Sequence, residues 1–388
     1  ARPIVPKESQ LPIDPSTDTP DGYTITQRNQ PNGFAGDPDI MDTWATSSVT
    51  PQIVGDWLND PDLFARIFPM DLRPQAHDII RTWLFDTVLR STLEHRSLPW
   101  KHAAISGWVL DPDGKKMSKS KGNVVTPMGL LEEHGSDGVR YWAASGRPGT
   151  DTAFDPGQMK VGRRLAIKML NAAKFALMQA EPRGPITEPL DRGMLSSLST
   201  LVQESTEQLE SYDYARVLEQ AERFFCSFCD DYLELVKGRR YGDFTLEGAA
   251  SANSAMLVAL SAMLRLFAPF LPFVTEEVWS WWRPGSVHNQ RWPTADEVVA
   301  PIDGYDGNAV LVFAQTRAAL GEIRRIKALE KKPVKAVIDR AFLPQRFESL
   351  GPASQDFKAA AHIRDLAFGQ VEEPQITFAA EPMPEPRV

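Results

Sequence analysis

The sequence predicts a mixed architecture: an α/β region, then an all-α helical bundle, then a small α/β region at the C-terminus. Three observations support this prediction. Short apolar runs alternate with helical patterns from Ile40 to about Leu110, as they do where strands and helices pack in layers. Long stretches with apolar residues at helical spacing then fill about residues 156–285. Shorter strand and helix patterns follow, the last of them at Gln375–Phe378.

Composition limits the classes of protein to which the chain can belong. Its 388 residues are enough for two or three domains, and 42% apolar with 24% charged residues is typical of a globular protein. No apolar run approaches the roughly 20 residues that span a bilayer, which argues against a membrane protein. The net charge of −9 argues against indiscriminate coating of nucleic acid. Two cysteines in the whole chain fit a reducing, cytoplasmic compartment.

The first 110 residues divide into two parts. Residues 1–36 are rich in Pro, Asp, Thr and Asn with little periodicity, which predicts a connector or loop. Residues 37–110 carry the α/β pattern, with a helix predicted over Ala76–Leu93 and a strand running into a turn over His102–Leu110. The chain starts at Ala1 without an initiator methionine or a signal-peptide pattern, and we expect it to be a piece of a longer protein.

Residues 111–155 combine a lysine-rich loop with two predicted short helices. Thr126 and Pro127 predict the start of the first helix, because proline suits the first helical position, and Gly135 predicts its end. The second helix is predicted from Ser136 to Gly146. A helical bundle follows over residues 156–300, since long apolar stripes at helical spacing need partner helices to cover them.

Two cysteines, Cys226 and Cys229, lie three residues apart within the predicted bundle. Their spacing is compatible with a zinc knuckle or a redox pair, but no second cysteine pair or nearby histidine completes four ligands. The aromatic residues around them have helical spacing. We therefore predict two buried core thiols and no metal site.

Residues 301–388 predict a small C-terminal α/β region. A helix is predicted over Val310–Leu329, a strand over Val334–Ile338, a helix over residues 354–367 and a last strand over Gln375–Phe378. The proline-rich tail Pro382–Val388 is predicted to be disordered.

The strongest chemical signal is the lysine-rich loop between Gly114 and Asn123. Four lysines, the second and third being Lys116 and Lys119, crowd a stretch flanked by glycines. Compact ammonium charges suit a triphosphate, whose charge grows on the bridging and leaving oxygens when the α-phosphorus is attacked. Serines and a glycine in the loop allow the backbone to approach phosphate. The alternative is a basic surface loop without ligand.

The pentapeptide Lys116-Met117-Ser118-Lys119-Ser120 resembles the second signature of the class I aminoacyl-tRNA synthetases. The resemblance implies that these five residues bind ATP, that Lys119 stabilises the leaving pyrophosphate and that Lys116 assists. It implies the second half of a Rossmann-type nucleotide-binding sheet, followed by an anticodon-binding helical bundle. Mg²⁺ would accompany the triphosphate, and no protein ligand for it is identifiable in this chain.

Further segments are similar to the valine-type members of this family. In those members the side chains that match Ile40 and Trp44 line the amino-acid pocket; the alternative for Trp44 is an ordinary core tryptophan. Ala76, His77 and Asp78 stand where the family has Gly-x-Asp against the adenosine. Asp78 is expected to accept hydrogen bonds from the ribose, and His77 either contacts ATP or starts a helix. Ala76 departs from the usual glycine.

The resemblance also implies partners. Arg163, Arg164 and Lys168 are expected to contact tRNA at the start of the first bundle helix, although solvated helix faces explain such clusters as well. The implied substrates are valine, ATP and tRNA(Val). A His-x-Gly-His motif and an editing domain do not occur in the sequence, so we expect the chain to need the missing N-terminal half of the catalytic domain and to be inactive alone.

Three other interpretations remain open at this point. The chain could come from an isoleucine-type member of the same family. It could be a tRNA-binding module derived from a synthetase but without catalysis, although a loop that neutralises pyrophosphate has no use in a pure binder. It could also be an unrelated ATP-binding α/β enzyme, which would require the whole bundle to match by accident.

Overall fold

The computed structural model describes residues 2–39, 42–118, 122–178, 181–304 and 307–379. Ile40, Lys119, Ser120 and the tail Pro382–Val388, each the subject of a prediction, lie outside the described residues. The chain forms two compact units, Ala1–Gly107 and Trp108–Val388, called the first and second unit below.

The first unit contains a parallel strand pair joined by a helix. Strands β1 (Met70–Ala76) and β2 (Trp100–Ser106) pair in parallel, with Ala76 opposite Ser106. The chain crosses between them through a helix, α4 (Phe85–His95), as parallel strands require. The helices and turns of this unit are α1 Thr43–Ser47, α2 Thr50–Val54, α3 Pro61–Ile67 and α4 Phe85–His95, with three-ten turns at Glu8–Gln10, Ile25–Gln27 and His77–Ile79 and a π-helical turn at Ile80–Leu84.

The predictions for this unit were partly wrong. The helix predicted from Ala76 begins later, because Ala76 is extended (φ −81°, ψ 157°) and belongs to the β1–β2 ladder. The predicted strand from His102 starts two residues earlier, at Trp100, and ends at Ser106. Val109–Leu110 forms a separate strand, β3, in the second unit.

The second unit opens with β3, which pairs in parallel with β4 (Thr152–Ala153). Between these strands lies α5 (Pro127–Ala144), which is kinked at Gly135. Gly135 has φ 73° and ψ 160°, so its backbone is not helical and two helices meet there, as predicted. The first begins at Pro127, which confirms the predicted start.

A helical bundle with an extensive apolar core forms the centre of the second unit. Its buried side chains include Phe225, Phe267 and Tyr232, which the packing of neighbouring helices removes from water. This confirms that residues 156–285 are mainly helical. The helices are α6 Pro156–Met178, α7 Pro189–Glu210, α8 Tyr214–Ser227, a π-helical turn Phe228–Tyr232, α9 Leu233–Arg240, α10 Leu246–Phe267, α11 Pro272–Ser280, a three-ten turn Val287–Asn289 and α12 Ala295–Val299.

Contrary to the expectation from the sequence, one helix, α10, is long and apolar enough to cross a membrane by length and composition alone. However, 78% of its most apolar window is buried inside the bundle. Its neighbours include α6, α7 and α9. We therefore interpret α10 as the core helix of the bundle.

Both cysteines are free thiols, as predicted, but they are half-buried rather than buried. Cys229 packs against the core of the bundle. Among the described residues, no group of three or more His, Cys, Asp or Glu side chains is placed to hold a metal ion.

A three-stranded sheet lies at the C-terminus, with strand order β6-β5-β7. Strand β5 (Ile338–Pro344) is parallel to β6 (Ile363–Gly369) and antiparallel to β7 (Gln375–Phe378). The preceding helix, α13 (Ala309–Leu329), and the last strand confirm two predictions. A three-ten segment, Gln345–Ala353, and helix α14, Ser354–Ala361, connect β5 to β6.

Two predictions for this region were wrong. The strand predicted over Val334–Ile338 starts only at Ile338, because the residues before it form a turn in which the amide of Ala336 donates to the Pro333 carbonyl (2.9 Å). The helix predicted over 354–367 stops at Ala361. His362 takes a left-handed conformation (φ 55°, ψ 48°), and the chain continues as β6.

Candidate functional site

The lysine-rich loop leaves strand β3 and returns to it through a tight turn. Leu110 forms an isolated antiparallel bridge with Lys116, and the amide of Asp111 donates to the Lys115 carbonyl (2.8 Å). Gly114 closes the turn with φ +75°, a conformation that favours glycine. The turn therefore brings Lys115 and Lys116 back beside the end of the strand.

Asp111 and Asn123 tie the two ends of this loop together, and we call this pair the loop clasp. The buried carboxylate of Asp111 accepts hydrogen bonds from the amides of Lys115 (2.8 Å) and Asp113 (3.0 Å) and from Asn123 Nδ2 (2.7 Å). Asn123 Oδ1 accepts from the amide of Ser118 (2.9 Å). The Lys115 amide first, and Asn123 next, lower the pKa of Asp111 below its usual range, so the clasp is anionic at neutral pH.

Lys116 lies at the base of the loop with its ammonium group 4.1 Å from the centre of the Trp108 ring. The ring face attracts the cation and holds it near the surface. Met117 and Ser118 are half-buried beside it. Lys119, the lysine with the main predicted role, lies outside the described residues, so the structure positions the base of the loop and one of its two key cations.

In the first unit, Asp78 lies just beyond the carboxyl ends of two parallel strands. Ala76 and Ser106, the last residues of β1 and β2, are paired, and His77 Nδ1 donates to the Ser106 carbonyl (3.1 Å). His77 is thus the first residue of a turn that anchors the strand ends. Asp78 is exposed in the same turn. Nucleotides commonly bind at the carboxyl ends of parallel strands, where this carboxylate lies.

Trp44 lies in α1, where its amide donates to Asp42 Oδ1 (2.9 Å). Its side chain is half-buried. The same helix is held from the other side, because Trp83 Nε1 donates to the Ser47 carbonyl (2.8 Å). Ile40, predicted to line the same pocket, is outside the described residues.

The three predicted tRNA contacts have different surroundings. Arg163 donates to the Glu133 carbonyl, next to the kink in α5. Lys168 Nζ forms an ion pair with Asp230 (2.8 Å). Arg164, one turn of α6 before Lys168, is exposed to solvent. Two of the three cations therefore already serve contacts within the second unit.

Sequence reasoning missed both members of the loop clasp and the ring beneath Lys116. An Asp-Pro-Asp-Gly turn at residues 111–114 was a usable signal for Asp111, because aspartate at a turn often bonds the following amides. Asn123 and Trp108 carry no comparable local signal. Their roles depend on where the loop closes.

Two family models match the chain. The model described as tRNA synthetases class I (I, L, M and V) matches residues 17–155, and the model described as anticodon-binding domain of tRNA ligase matches residues 191–338. The first match contains the lysine-rich loop and Asp78. The second contains most of the helical bundle.

Curated relatives match almost the whole chain. A Valine--tRNA ligase of Thermobifida fusca is 56% identical over 98% of this chain and 44% of its own length. A Valine--tRNA ligase of Bifidobacterium longum is 47% identical over 100% of this chain and 45% of its own length. The chain thus spans less than half the length of the curated relatives it matches.

A solved structure has a similar fold. The crystal structure of the ternary complex of Agrobacterium radiobacter K84 agnB2 LeuRS with tRNA and LeuAMS superposes with a TM-score of 0.57. It is 18% identical in sequence, and the match covers 81% of this chain and 37% of that chain. At this identity the likeness concerns the fold alone.

Proposed function

The chain belongs to the class I tRNA synthetases, and we propose that it forms part of a valine–tRNA ligase. In such an enzyme the carboxylate of valine attacks the α-phosphorus of ATP, the bond to the bridging oxygen breaks, and pyrophosphate leaves with the electron pair. The valyl group of the adenylate then passes to a ribose hydroxyl of tRNA(Val), and AMP leaves. In this proposal the chain contributes the lysine loop and the surface that binds the anticodon, and it acts in the cytoplasm.

The observation that carries the proposal is the lysine loop within a chain that is 56% identical to a Valine--tRNA ligase over 98% of its length. A loop that presents Lys116 beside an anchored turn has a clear use in phosphate chemistry. The ammonium groups of Lys116 and Lys119 would neutralise the charge that develops on the departing pyrophosphate. The loop clasp would keep the base of the loop fixed while ATP binds.

The remaining predicted residues would position the substrates. Asp78 would accept hydrogen bonds from the ribose hydroxyls of ATP, and His77 would hold the turn that carries it. Trp44 and Ile40 would form an apolar wall for the branched side chain of valine. Arg164 would face the tRNA backbone. Mg²⁺ would accompany the triphosphate, as triphosphate chemistry implies.

Two features of the first unit support the proposal that another part of the catalytic domain completes its sheet. Strands β1 and β2 form a two-stranded parallel sheet, whereas parallel sheets are stable when several strands are covered on both faces. Large apolar side chains in this unit are also exposed, with three of them on one stripe of α4. They are Ile53, Val54, Leu58, Phe85, Leu89, Leu93 and Leu98. We propose that β1 and β2 belong to a Rossmann-type sheet that an N-terminal half completes.

The test is valine-dependent exchange of pyrophosphate into ATP. The 388-residue chain is assayed alone and mixed with a separately produced piece of the Thermobifida fusca relative, namely the part that this chain does not match. We expect no exchange from the chain alone and exchange from the mixture. In the mixture, Lys116→Ala should lower the rate about 100-fold, as loss of one transition-state charge contact does.

Lys115→Ala is the matched control for this test. Lys115 is the neighbouring lysine, but its ammonium group pairs at the surface with Asp113 at 3.7 Å. Its loss should leave the exchange rate nearly unchanged. Exchange by the chain alone would overturn the requirement for a second half. Faster exchange with isoleucine than with valine would overturn the choice of amino acid.

A further inference from the structure

A cavity of about 570 Å³ opens on the second unit beside helices α10, α11 and α12. Its wall combines three arginines with two tryptophans, and we call it the Arg–Trp pocket. These residues are Arg183, Arg265, Arg283, Trp281 and Trp282. The segment Trp279–Trp292 contains four tryptophans and two arginines in 14 residues, and its residues Trp281, Trp282 and Arg283 line the pocket. This composition was not explained by the lysine loop or by the predicted basic cluster.

The pocket has one rigid wall. Arg265 pairs with Glu297 and donates to the carbonyls of Ser261 (3.1 Å) and Arg291 (3.3 Å). Its side chain is only 14% exposed. Since a carboxylate already balances its charge, Arg265 shapes the cavity rather than attracting an anion.

Another part of the lining presents an aromatic ring and a cation to solvent. Trp281 is 38% exposed, and its Nε1 donates to Glu277 Oε1 (3.0 Å), which holds the indole by its edge. The guanidinium of Arg283 lies 4.5 Å from the centre of the Trp282 ring and is itself exposed. An aromatic surface that is held in place, next to an exposed planar cation, is suited to a flat, anionic ligand.

A nucleotide has both properties. Proteins that bind single-stranded RNA stack unpaired bases on aromatic rings or guanidinium planes and place cations near the backbone. The volume of the pocket is in the range of small-ligand sites and is enough for one base with its sugar. An acidic peptide would use the cations, but it would leave the exposed indole without a stacking partner.

We propose that the Arg–Trp pocket holds one unpaired nucleobase of the bound tRNA, stacked on Trp281, with Arg283 beside the adjoining phosphate. The inference rests on the proposed tRNA binding and adds the place where a base is held. It shares no residue with the predicted cluster of Arg163, Arg164 and Lys168.

The experiment measures binding of a tRNA(Val) transcript, and of a fully paired RNA hairpin of similar length, to the 388-residue chain. Trp281→Ala should weaken binding of the transcript about 5-fold to 150-fold, the range for loss of one stacked base, and leave the hairpin unaffected. Trp281→Phe, which keeps a ring, should restore most of the affinity. Arg283→Ala should weaken transcript binding and make it less dependent on salt.

Chemical probing of the transcript supplies a second readout. One unpaired nucleotide should be protected in the complex with the parent chain and reactive in the complex with Trp281→Ala. Trp57→Ala is the control, because Trp57 is also 38% exposed but lies in the first unit. Melting curves of all variants establish that they are folded.

The outcomes separate this inference from the proposed function. If the parent chain binds the transcript and Trp281→Ala binds it equally well with the same protections, the pocket does not hold a base, while the proposed function stands. Equal weakening of the transcript and the paired hairpin would also overturn the inference, because it would indicate contact with the backbone alone. If the parent chain does not bind the transcript at all, the proposed function fails first.

Discussion

Arg239 is the centre of a buried ionic network, and its replacement by methionine tests how strongly that network stabilises the bundle. Its Nη1 and Nη2 donate to Asp191 (2.8 and 3.0 Å), and its Nε donates to both oxygens of Asp356 (3.0 and 3.1 Å). Nη1 also donates to the Gly248 carbonyl (2.9 Å). The contacts connect α9 to α7, to the start of α10 and to α14.

The magnitude follows from what the substitution leaves behind. Arg239→Met keeps an apolar stem of similar length, but two buried carboxyl groups and one carbonyl lose the hydrogen bonds that Arg239 donates. Removing one partner of a buried ion pair costs about 3 to 5 kcal/mol of unfolding free energy. Tyr232 and Ser251 still donate to Asp191 (2.8 and 2.6 Å), which limits the loss at that end. We expect a loss of about 4 kcal/mol at pH 8.

The loss should shrink as the pH falls. Burial raises the pKa of Asp356 to about 6, although Arg239 opposes the rise. Without Arg239 the pKa of Asp356 rises further, so the folded variant binds a proton that the unfolded chain, with a pKa near 3.8, releases. Stability linked to a raised carboxyl pKa increases as the pH falls through it. The variant should therefore be closer to the parent at pH 5 than at pH 8.

Hydrogen exchange is the suitable assay, because a chain with two compact units need not unfold in one step. The slowest amides of α10 report the opening of the bundle. Arg223→Met is the control: Arg223 also pairs with a carboxylate, Glu219, at 2.8 Å, but the two side chains are 74% and 57% exposed. Its cost should stay within about 0.5 kcal/mol. A loss for Arg239→Met no larger than this control would show that desolvation cancels the attraction, and would refute the reasoning.

Three further predictions follow from local packing and ionisation. Gly162→Ala would place a Cβ 2.4 Å from Tyr141 Cβ, so it should lower the free energy of unfolding by about 1 to 3 kcal/mol. On helix α13, a Cβ at Gly321 would meet nothing within 4 Å, so Gly321→Ala should raise the free energy of unfolding by about 0.5 to 1 kcal/mol. Melting temperatures of the two variants that shift in the same direction would contradict these two expectations. Asp111→Asn should speed hydrogen exchange of the Lys115 amide at pH 7, and in the parent the same protection should be lost as the pH falls through the lowered pKa of Asp111. Unchanged exchange in the variant would show that the loop clasp does not protect the Lys115 amide. Burial raises the pKa of Cys226 and raises that of Cys229 to about 12, so both thiols should react with a disulfide reagent at pH 8 far more slowly in the folded than in the unfolded chain. Equal rates would show that the thiols are not protected.

The helical bundle was predictable because its signals are long and local. Stripes of apolar residues over twenty or so positions leave few alternatives to a helix, and α6 and α10 follow them closely. The C-terminal strands were harder to predict. Val334 and Ile338 look alike in sequence, yet Ile338 pairs with β6 whereas Val334 lies in a turn that begins at Pro333. Strand pairing depends on residues distant in the sequence, and local patterns do not contain that information.

The candidate site was likewise predictable only in part. The five-residue lysine signature could be recognised without any structure. The loop clasp could not, because Asp111 and Asn123 are twelve positions apart in the sequence and meet only in the folded loop. The ring of Trp108 beneath Lys116 likewise depends on how β3 and the loop close. Residue types suggest a chemistry for the loop, whereas the fold determines where each side chain lies.

The contacts of the basic residues show why the number of cations in a sequence is a poor guide to the cations available to bind RNA. Arg163 and Lys168 looked like RNA contacts, yet one donates to a helix carbonyl and the other pairs with Asp230. Arg317 and Arg324 on α13 similarly both pair with Asp231, at 3.1 and 2.9 Å. A cation that is paired with a carboxylate must break that ion pair before it can neutralise a phosphate. Replacing one ion pair by another stabilises the complex only slightly. Exposed cations that have no such ion pair within the described part of the chain, such as Arg283, should therefore account for most of the salt dependence of the proposed RNA binding, even in a chain whose net charge is −9.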